Sequence, residues 1–162
     1  MAKSTILVLQ VVIALALAGS LVVQTVIVPL LWVDLEGEAL WGRIALVIIA
    51  VLGVLTLQVF AVCVWMLLTK VRRGSLFSPT SFRYVDVIIG AIGAAAALAL
   101  ILAVLLAPGS TAPGVVALIC GAALVLAGIA LLVVVMKALL RQAIDRDAEA
   151  RALRSELDTE VI

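Results

Sequence analysis

The chain has 162 residues, of which 67% are hydrophobic and 13% are charged. Soluble domains average about 45–50% apolar and about 25% charged residues, so this composition excludes an ordinary water-soluble fold. The net charge is +1 and there is no His, which excludes haem or zinc sites built on histidines of this chain. The length fits one membrane domain and leaves no room for a second large domain.

The first apolar segment covers about residues 5–33. Its uninterrupted run exceeds the apolar region of a signal peptide, which is about 7–15 residues long, so we expect a retained membrane helix. Gln24 interrupts the aliphatic sequence, and Pro29 lies near the end of the segment, where a kink costs little.

Three further apolar segments follow, at about residues 44–69, 85–107 and 115–136. Each is long enough to cross a hydrocarbon layer of about 30 Å, which takes about 20 helical residues. The sequence therefore predicts an all-α fold, a four-transmembrane-helix bundle formed by residues 1–136.

Basic residues are concentrated on one side of this pattern. All but one of the 11 Lys and Arg residues lie before the first segment, between the second and third, or after the fourth: Lys3, Lys70, Arg72, Arg73, Arg83, Lys137, Arg141, Arg146, Arg151 and Arg154. The exception, Arg43, follows an acidic connection that contains Asp34, Glu36 and Glu38. Because cytoplasmic loops retain Lys and Arg, we predict a multi-pass protein of the bacterial cytoplasmic membrane with both termini cytoplasmic.

Residues 137–162 are predicted to form a cytoplasmic tail in which the fourth helix extends out of the membrane. The tail is rich in helix formers and has no Gly or Pro, so we expect helix to about Leu157 and an extended end at 159–162. Its apolar residues are interpreted as one narrow stripe, with Leu153 beside it: Leu140, Ile144, Ala148 and Leu157.

Candidate contacts with a cytoplasmic protein come from the middle loop and the tail. They are basic, aromatic, aliphatic and acidic side chains: Arg72, Arg73, Phe77, Leu140, Ile144, Leu153, Leu157, Asp158, Val161 and Ile162. From Lys137 onward six acidic residues face five basic ones. Direct nucleic-acid binding needs a basic excess, so we expect none.

Polar side chains within the apolar segments are Gln24, Thr56, Gln58 and Asp86. We expect Gln24 and Gln58 to hydrogen-bond between helices. Arg83 stands three residues before Asp86, which predicts a local helical pair. If the glutamines and Thr56 converged, they could line a polar path. A small transporter, a channel or an auxiliary subunit of a larger membrane complex is therefore the alternative function.

The sequence offers no candidate catalytic residue, metal ligand set or cofactor site, so we expect a non-enzymatic protein without cofactors. A nucleophile has no His to activate it,. Cys63 and Cys120 differ in predicted depth by about 20 Å, far beyond the reach of a disulfide, so we expect none.

Small residues recur at four-residue spacing in the third and fourth segments: Gly90 and Ala94, Gly93 and Ala97, Ala117 and Gly121, and Ala123 and Ala127. Such spacing lets helix backbones approach closely in a membrane. It predicts packing of these two helices within one chain or, alternatively, a homo-oligomer formed through them.

Two stretches carry a family resemblance. The loop 72–78, Arg-Arg-Gly-Ser-Leu-Phe-Ser, and the tail 143–162 resemble sequences of the bacterial domain-of-unknown-function 2975 family, as do the length and the four-helix layout. The family brings no biochemical activity with it. Its members are often encoded beside a small Cro/C1-type helix-turn-helix regulator. The resemblance thus implies, by association, a membrane protein that holds or releases such a transcription regulator through cytoplasmic contacts.

Overall fold

The computed structural model describes residues 2–37, 39–73 and 79–161, and nearly all of them are helical. The elements follow in this order: α1 Ala2–Val22, a π-helical segment Val23–Ile27, α2 Val28–Asp34, α3 Leu40–Arg72, α4 Pro79–Leu106 and α5 Pro113–Glu160. Lipid gives the backbone no hydrogen-bond partners, so an apolar chain pairs its amides and carbonyls within helices.

Within the described residues, four stretches are long and apolar enough to cross a membrane: Ser4–Asp34, Leu40–Arg72, Phe82–Leu106 and Pro113–Glu160. The prediction of an all-α chain with four such helices is confirmed. The first stretch joins α1, the π-helical segment and α2, and these three are called the first span below.

The first span is irregular around Pro29. Proline has no backbone N–H, so the carbonyl of Thr25 loses its usual partner four residues later. The π-helical segment Val23–Ile27 takes up this irregularity one turn before the proline. Gln24 lies inside the segment, which therefore sets the direction of one of the few polar side chains in the span.

Close backbone contacts between the spans follow the order of the chain. α4 packs against both α3 and α5, whereas the first span packs against α3 alone. In the described part of the chain, no Cα atom of the first span comes within 8 Å of one in α4 or α5, and the same holds between α3 and α5. The order of these contacts is first span, α3, α4, α5.

Alanines, not glycines, make the closest helix contacts. Ala103 of α4 is 2% exposed and Ala123 of α5 is 1% exposed. An added Cβ at Gly90, Gly93 or Gly121 would meet nothing within 4 Å. Of the four predicted small-residue pairs, only Ala123 and Ala127 are both at least half-buried; Ala94, Ala97 and Ala117 are exposed.

α5 is much longer than a membrane is thick. Its 48 residues extend over about 72 Å at about 1.5 Å per residue. The sequence predicted that residues 159–162 leave the helix, but α5 continues through Glu160. The Thr159 hydroxyl donates to the carbonyl of Ser155 at 2.7 Å, and neither Gly nor Pro interrupts the last turns.

Candidate functional site

The tail of α5 is almost entirely exposed in the described structure. From residue 138 to 161 every residue is exposed except Ile144, which is half-buried. Leu153 is 61% and Leu157 is 62% exposed. These side chains lie where the sequence predicted them, on a helix, but nothing described packs over them.

The apolar residues of the tail do not form the single stripe interpreted from the sequence. α5 is one regular α-helix, and nine residues make about two and a half turns. Ile144 and Leu153 are nine residues apart, so they lie on opposite faces. The tail instead carries a proximal patch, Leu140, Ile144 and Ala148, and a distal patch, Leu153 and Leu157.

Local interactions hold the tail helix together. Arg151 pairs with Asp147 at 2.7 Å, and the Ser155 hydroxyl donates to the carbonyl of Ala152 at 2.7 Å. Arg154 and Asp158 have the same four-residue spacing, but their charged groups do not approach within 4 Å, although both residues are described. Beyond Arg141, the described side-chain contacts of the tail are made along its own helix.

At one end of the molecule, side chains bridge α4 to its neighbours; we call this the basic end. Lys137 of α5 forms an ion pair with Asp86 of α4. The guanidinium of Arg141 lies 5.4 Å from the ring centre of Phe82. The ammonium of Lys70 on α3 lies 4.9 Å from the ring centre of Tyr84. These contacts fix where α5 leaves the four-span body.

The Asp86 pairing corrects the sequence prediction of a local pair with Arg83. The three-residue spacing is compatible with such a pair, but α5 lies against α4 and brings Lys137 to the carboxylate. The Lys137 side chain is 14% exposed, whereas the Asp86 side chain is 56% exposed. Sequence spacing cannot give the rotation of one helix about another.

The middle-loop candidates lie on a different surface from the tail candidates. Arg72 and Arg73 are exposed at the end of α3, and Arg72 donates to the side-chain oxygen of Gln10 at 3.2 Å. α3 does not approach α5 within 8 Å between described Cα atoms. Asp158 and Val161 are exposed at the tip of the tail, while Phe77 and Ile162 lie outside the described residues.

Gln24 and Gln58 both hydrogen-bond between helices, as expected; they bond to each other, and Ser20 takes part. The Gln58 amide donates to the oxygen of Gln24 at 3.1 Å and to the hydroxyl of Ser20 at 3.1 Å. Ser20 is buried and lies one turn before Gln24, a spacing that could have indicated its role. We call Ser20, Gln24 and Gln58 the polar cluster; it joins the first span to α3.

Thr56 does not join the polar cluster. Its hydroxyl donates to the carbonyl of Gly53 within the same helix, at 2.8 Å. Thr56 is the single polar side chain among the described residues that line the larger of two cavities. Neither Gln24 nor Gln58 lines either of these two cavities.

The larger cavity, which we call the central groove, has a volume of about 620 Å³. All four spans contribute to its lining, including Ile13, Ala16, Leu57, Ala95, Leu126 and Ile129. A second cavity of about 460 Å³ lies between the first span, α3 and α4. Gly53 and Ala95 line both cavities, which therefore adjoin.

At the opposite end, Arg43 secures the connection between the first span and α3. Its guanidinium donates to the carbonyl of Trp32 and lies 4.0 Å from the centre of the Trp32 ring. Its buried Nε has no hydrogen-bond partner in the described structure. The sequence identified Arg43 only as the exception to the charge asymmetry.

Among residues 2–37, 39–73 and 79–161, no three His, Cys, Asp or Glu side chains gather closely enough to hold a metal ion. Both cysteines are free thiols.

No curated protein and no solved structure matches the chain. A family model does, over residues 5–161, and its description is "Protein of unknown function (DUF2975)". That match covers almost the whole chain and all four spans, so the chain belongs to the DUF2975 family.

Proposed function

We propose that this protein is a non-enzymatic, multi-pass protein of the bacterial cytoplasmic membrane that binds a cytoplasmic protein through the tail of α5. The basic end faces the cytoplasm in this proposal, because Lys and Arg are retained on that side. Both termini are then cytoplasmic, and the four spans form a transmembrane bundle.

The length and charge of α5 support the extension into the cytoplasm. A hydrocarbon layer of about 30 Å accommodates about 20 helical residues, fewer than half of the 48 in α5. The residues after Lys137 include both acidic and basic side chains, which are costly at membrane depth. The charged half therefore belongs in water.

The observation that carries the proposal is the uncovered distal patch. Leu153 and Leu157 are one turn apart and about three-fifths exposed. Helical segments commonly bind by laying such a pair into an apolar groove of a partner. A partner that binds the folded tail would stabilise the helix further.

The proposed partner is a small helix-turn-helix transcription regulator, supported by the family resemblance. The tail presents acidic side chains on the same helix as the apolar patches: Asp145, Asp147, Glu149, Glu156, Asp158 and Glu160. Such carboxylates complement the basic surface with which a regulator contacts DNA phosphates. Binding to the tail would hold the regulator at the membrane and away from DNA.

The test is a pull-down in detergent, with the full-length protein and a Cro/C1-type helix-turn-helix regulator. Replacing both Leu153 and Leu157 with Asp should abolish binding. The matched control, Ala148→Asp with Ser155→Asp, adds the same charge to the opposite face and should preserve it. Deleting residues 151–162 should abolish binding without loss of membrane insertion. Regulator retained by the Leu153/Leu157 variant would refute recognition by the distal patch.

The transporter or channel alternative has no comparable support. A polar path requires polar side chains that face a cavity, whereas Gln24 and Gln58 bond to each other away from both cavities. A role as auxiliary subunit would use the same exposed tail and is tested by the same pull-down from native membranes.

A further inference from the structure

The central groove is an apolar space inside the membrane-spanning part of the molecule. Its volume of about 620 Å³ is within the range of ligand sites, about 300–1,000 Å³. The lining consists of aliphatic and aromatic side chains, and the Thr56 hydroxyl already donates to a backbone carbonyl. A space of this kind does not hold water well but accepts apolar molecules.

The groove is open to lipid on one side. The first span and α5 both contribute to its lining, yet their described Cα atoms never approach within 8 Å. Left empty, the groove would deprive its lining of dispersion contacts, which are a main source of stability for helices packed in a bilayer. A hydrocarbon chain entering between the first span and α5 restores these contacts.

Charge at the basic end favours one kind of chain. Leu9 lines the groove, and the next residue, Gln10, accepts a hydrogen bond from the exposed Arg72 at 3.2 Å. The Arg72 guanidinium therefore contacts the first span at the level of Leu9, the groove residue of that span nearest the basic end. Guanidinium groups bind phosphate strongly and in defined geometry, so a phosphate attached to the entering chain would be held there.

We infer that the central groove binds one acyl chain of an anionic phospholipid from the leaflet at the basic end, with Arg72 beside its phosphate. This inference does not depend on the tail or on its partner. It adds a ligand site of defined chemistry to the four-span body.

Native mass spectrometry of the full-length protein tests whether the groove binds this lipid. The probes are phosphatidylglycerol and phosphatidylcholine with identical acyl chains. The intact protein should retain one phosphatidylglycerol after detergent removal. The Ala95→Leu substitution adds an isopropyl group that fills part of the groove. It should lower the retention of phosphatidylglycerol about tenfold. Ala94→Leu, its neighbour on the exposed face of α4, should leave retention unchanged. Equal retention by the two variants would overturn the inference.

A second pair of variants tests the groove independently, so that misfolding of the first pair does not decide the result. Ala16→Leu fills the groove from α1, and Ala18→Leu adds the same bulk on an exposed face outside it. Circular dichroism checks that each variant keeps its helix content. Arg72→Gln should retain lipid but lose the preference for phosphatidylglycerol over phosphatidylcholine. An unchanged preference, or a dimer without lipid in the intact protein, would contradict the assignment of phospholipid to the groove.

Discussion

Gln58 is the residue on which the attachment of the first span depends most directly. Its amide makes two hydrogen bonds across the interface, to Ser20 and Gln24. Interhelical hydrogen bonds in membranes contribute about 0.6–2 kcal/mol. Because the first span packs against α3 alone, it has no second neighbour to compensate for their loss.

We therefore expect Gln58→Met to lower the free energy of unfolding by about 1–2 kcal/mol. Thr56→Val should have a smaller effect, since the Thr56 hydroxyl bonds only within its own helix. Unfolding in mixed micelles, followed by circular dichroism, measures both. Equal losses for the two variants would show that the polar cluster is not the stabilising feature.

The ion pair at the basic end yields a second prediction. Asp86→Lys and Lys137→Asp should each lower the melting temperature, because each places like charges side by side. The double exchange should recover most of the loss, as expected for residues in direct contact. Arg83→Gln should be close to neutral. A larger effect for Arg83→Gln than for Lys137→Gln would mean that the local pair, not the interhelical one, stabilises α4.

These residues also show what sequence spacing can and cannot predict. The glutamine contact was predictable because hydrocarbon offers an amide no partner except another polar side chain. The partner of Asp86 was not, since several inner-end bases were available and the rotation of α5 about α4 selects among them. Ser20 was missed because a lone serine in an apolar helix commonly bonds to its own backbone, as Ser20 also does to Leu17 at 2.7 Å.

Among the elements, α5 combines two environments in one helix. Its first half packs on α4, whereas in its second half all described residues but Ile144 are exposed and Arg141 contacts Phe82 of α4. We expect hydrogen–deuterium exchange to divide the helix near Lys137. Amides from residue 138 onward should exchange much faster than those between 116 and 136, because helix without tertiary packing opens readily. Uniform protection along α5 in the absence of a partner would contradict a solvated tail.

The composition of α5 predicts that it is helical, but composition does not say on which helix face each apolar residue lies. Ala, Leu, Arg and Glu favour helix throughout the tail. The prediction of a single stripe was wrong because it joined residues that are nine positions apart. On a regular helix, residues nine positions apart lie on opposite faces. Counting helical turns along the sequence is enough to place the proximal and distal patches on opposite faces, without a structure.

For the whole molecule, the first prediction concerns orientation. Reporter fusions after Ile162 should give cytoplasmic signals, and insertions between Asp34 and Ala39 should give external ones. The reason is the retention of Lys and Arg on the cytoplasmic side. A matched fusion after Arg73 should agree with the fusion at Ile162. An external reporter at Ile162 would refute the proposed cytoplasmic role of the tail.

The order of contacts between the spans was beyond sequence reasoning. The apolar segments predicted four crossing helices, and charge asymmetry predicted their alternation, since both follow from composition along the chain. Which helix neighbours which depends on side-chain fit between surfaces that are all aliphatic. Alanines occur around much of α4, so the buried position of Ala103 and the open positions of Gly90 and Gly93 could not be distinguished in advance.

The unbroken course of α5 has a mechanical consequence. No proline or glycine follows Gly128, so the helix has no hinge between the apolar half and the tail. The part beyond Lys137 is about 36 Å long at about 1.5 Å per residue. If the helix tilts by about 10° to match a thinner bilayer, the tip near Leu157 swings sideways by about 6 Å. The position of the end of the tail then depends on the thickness and strain of the surrounding lipid.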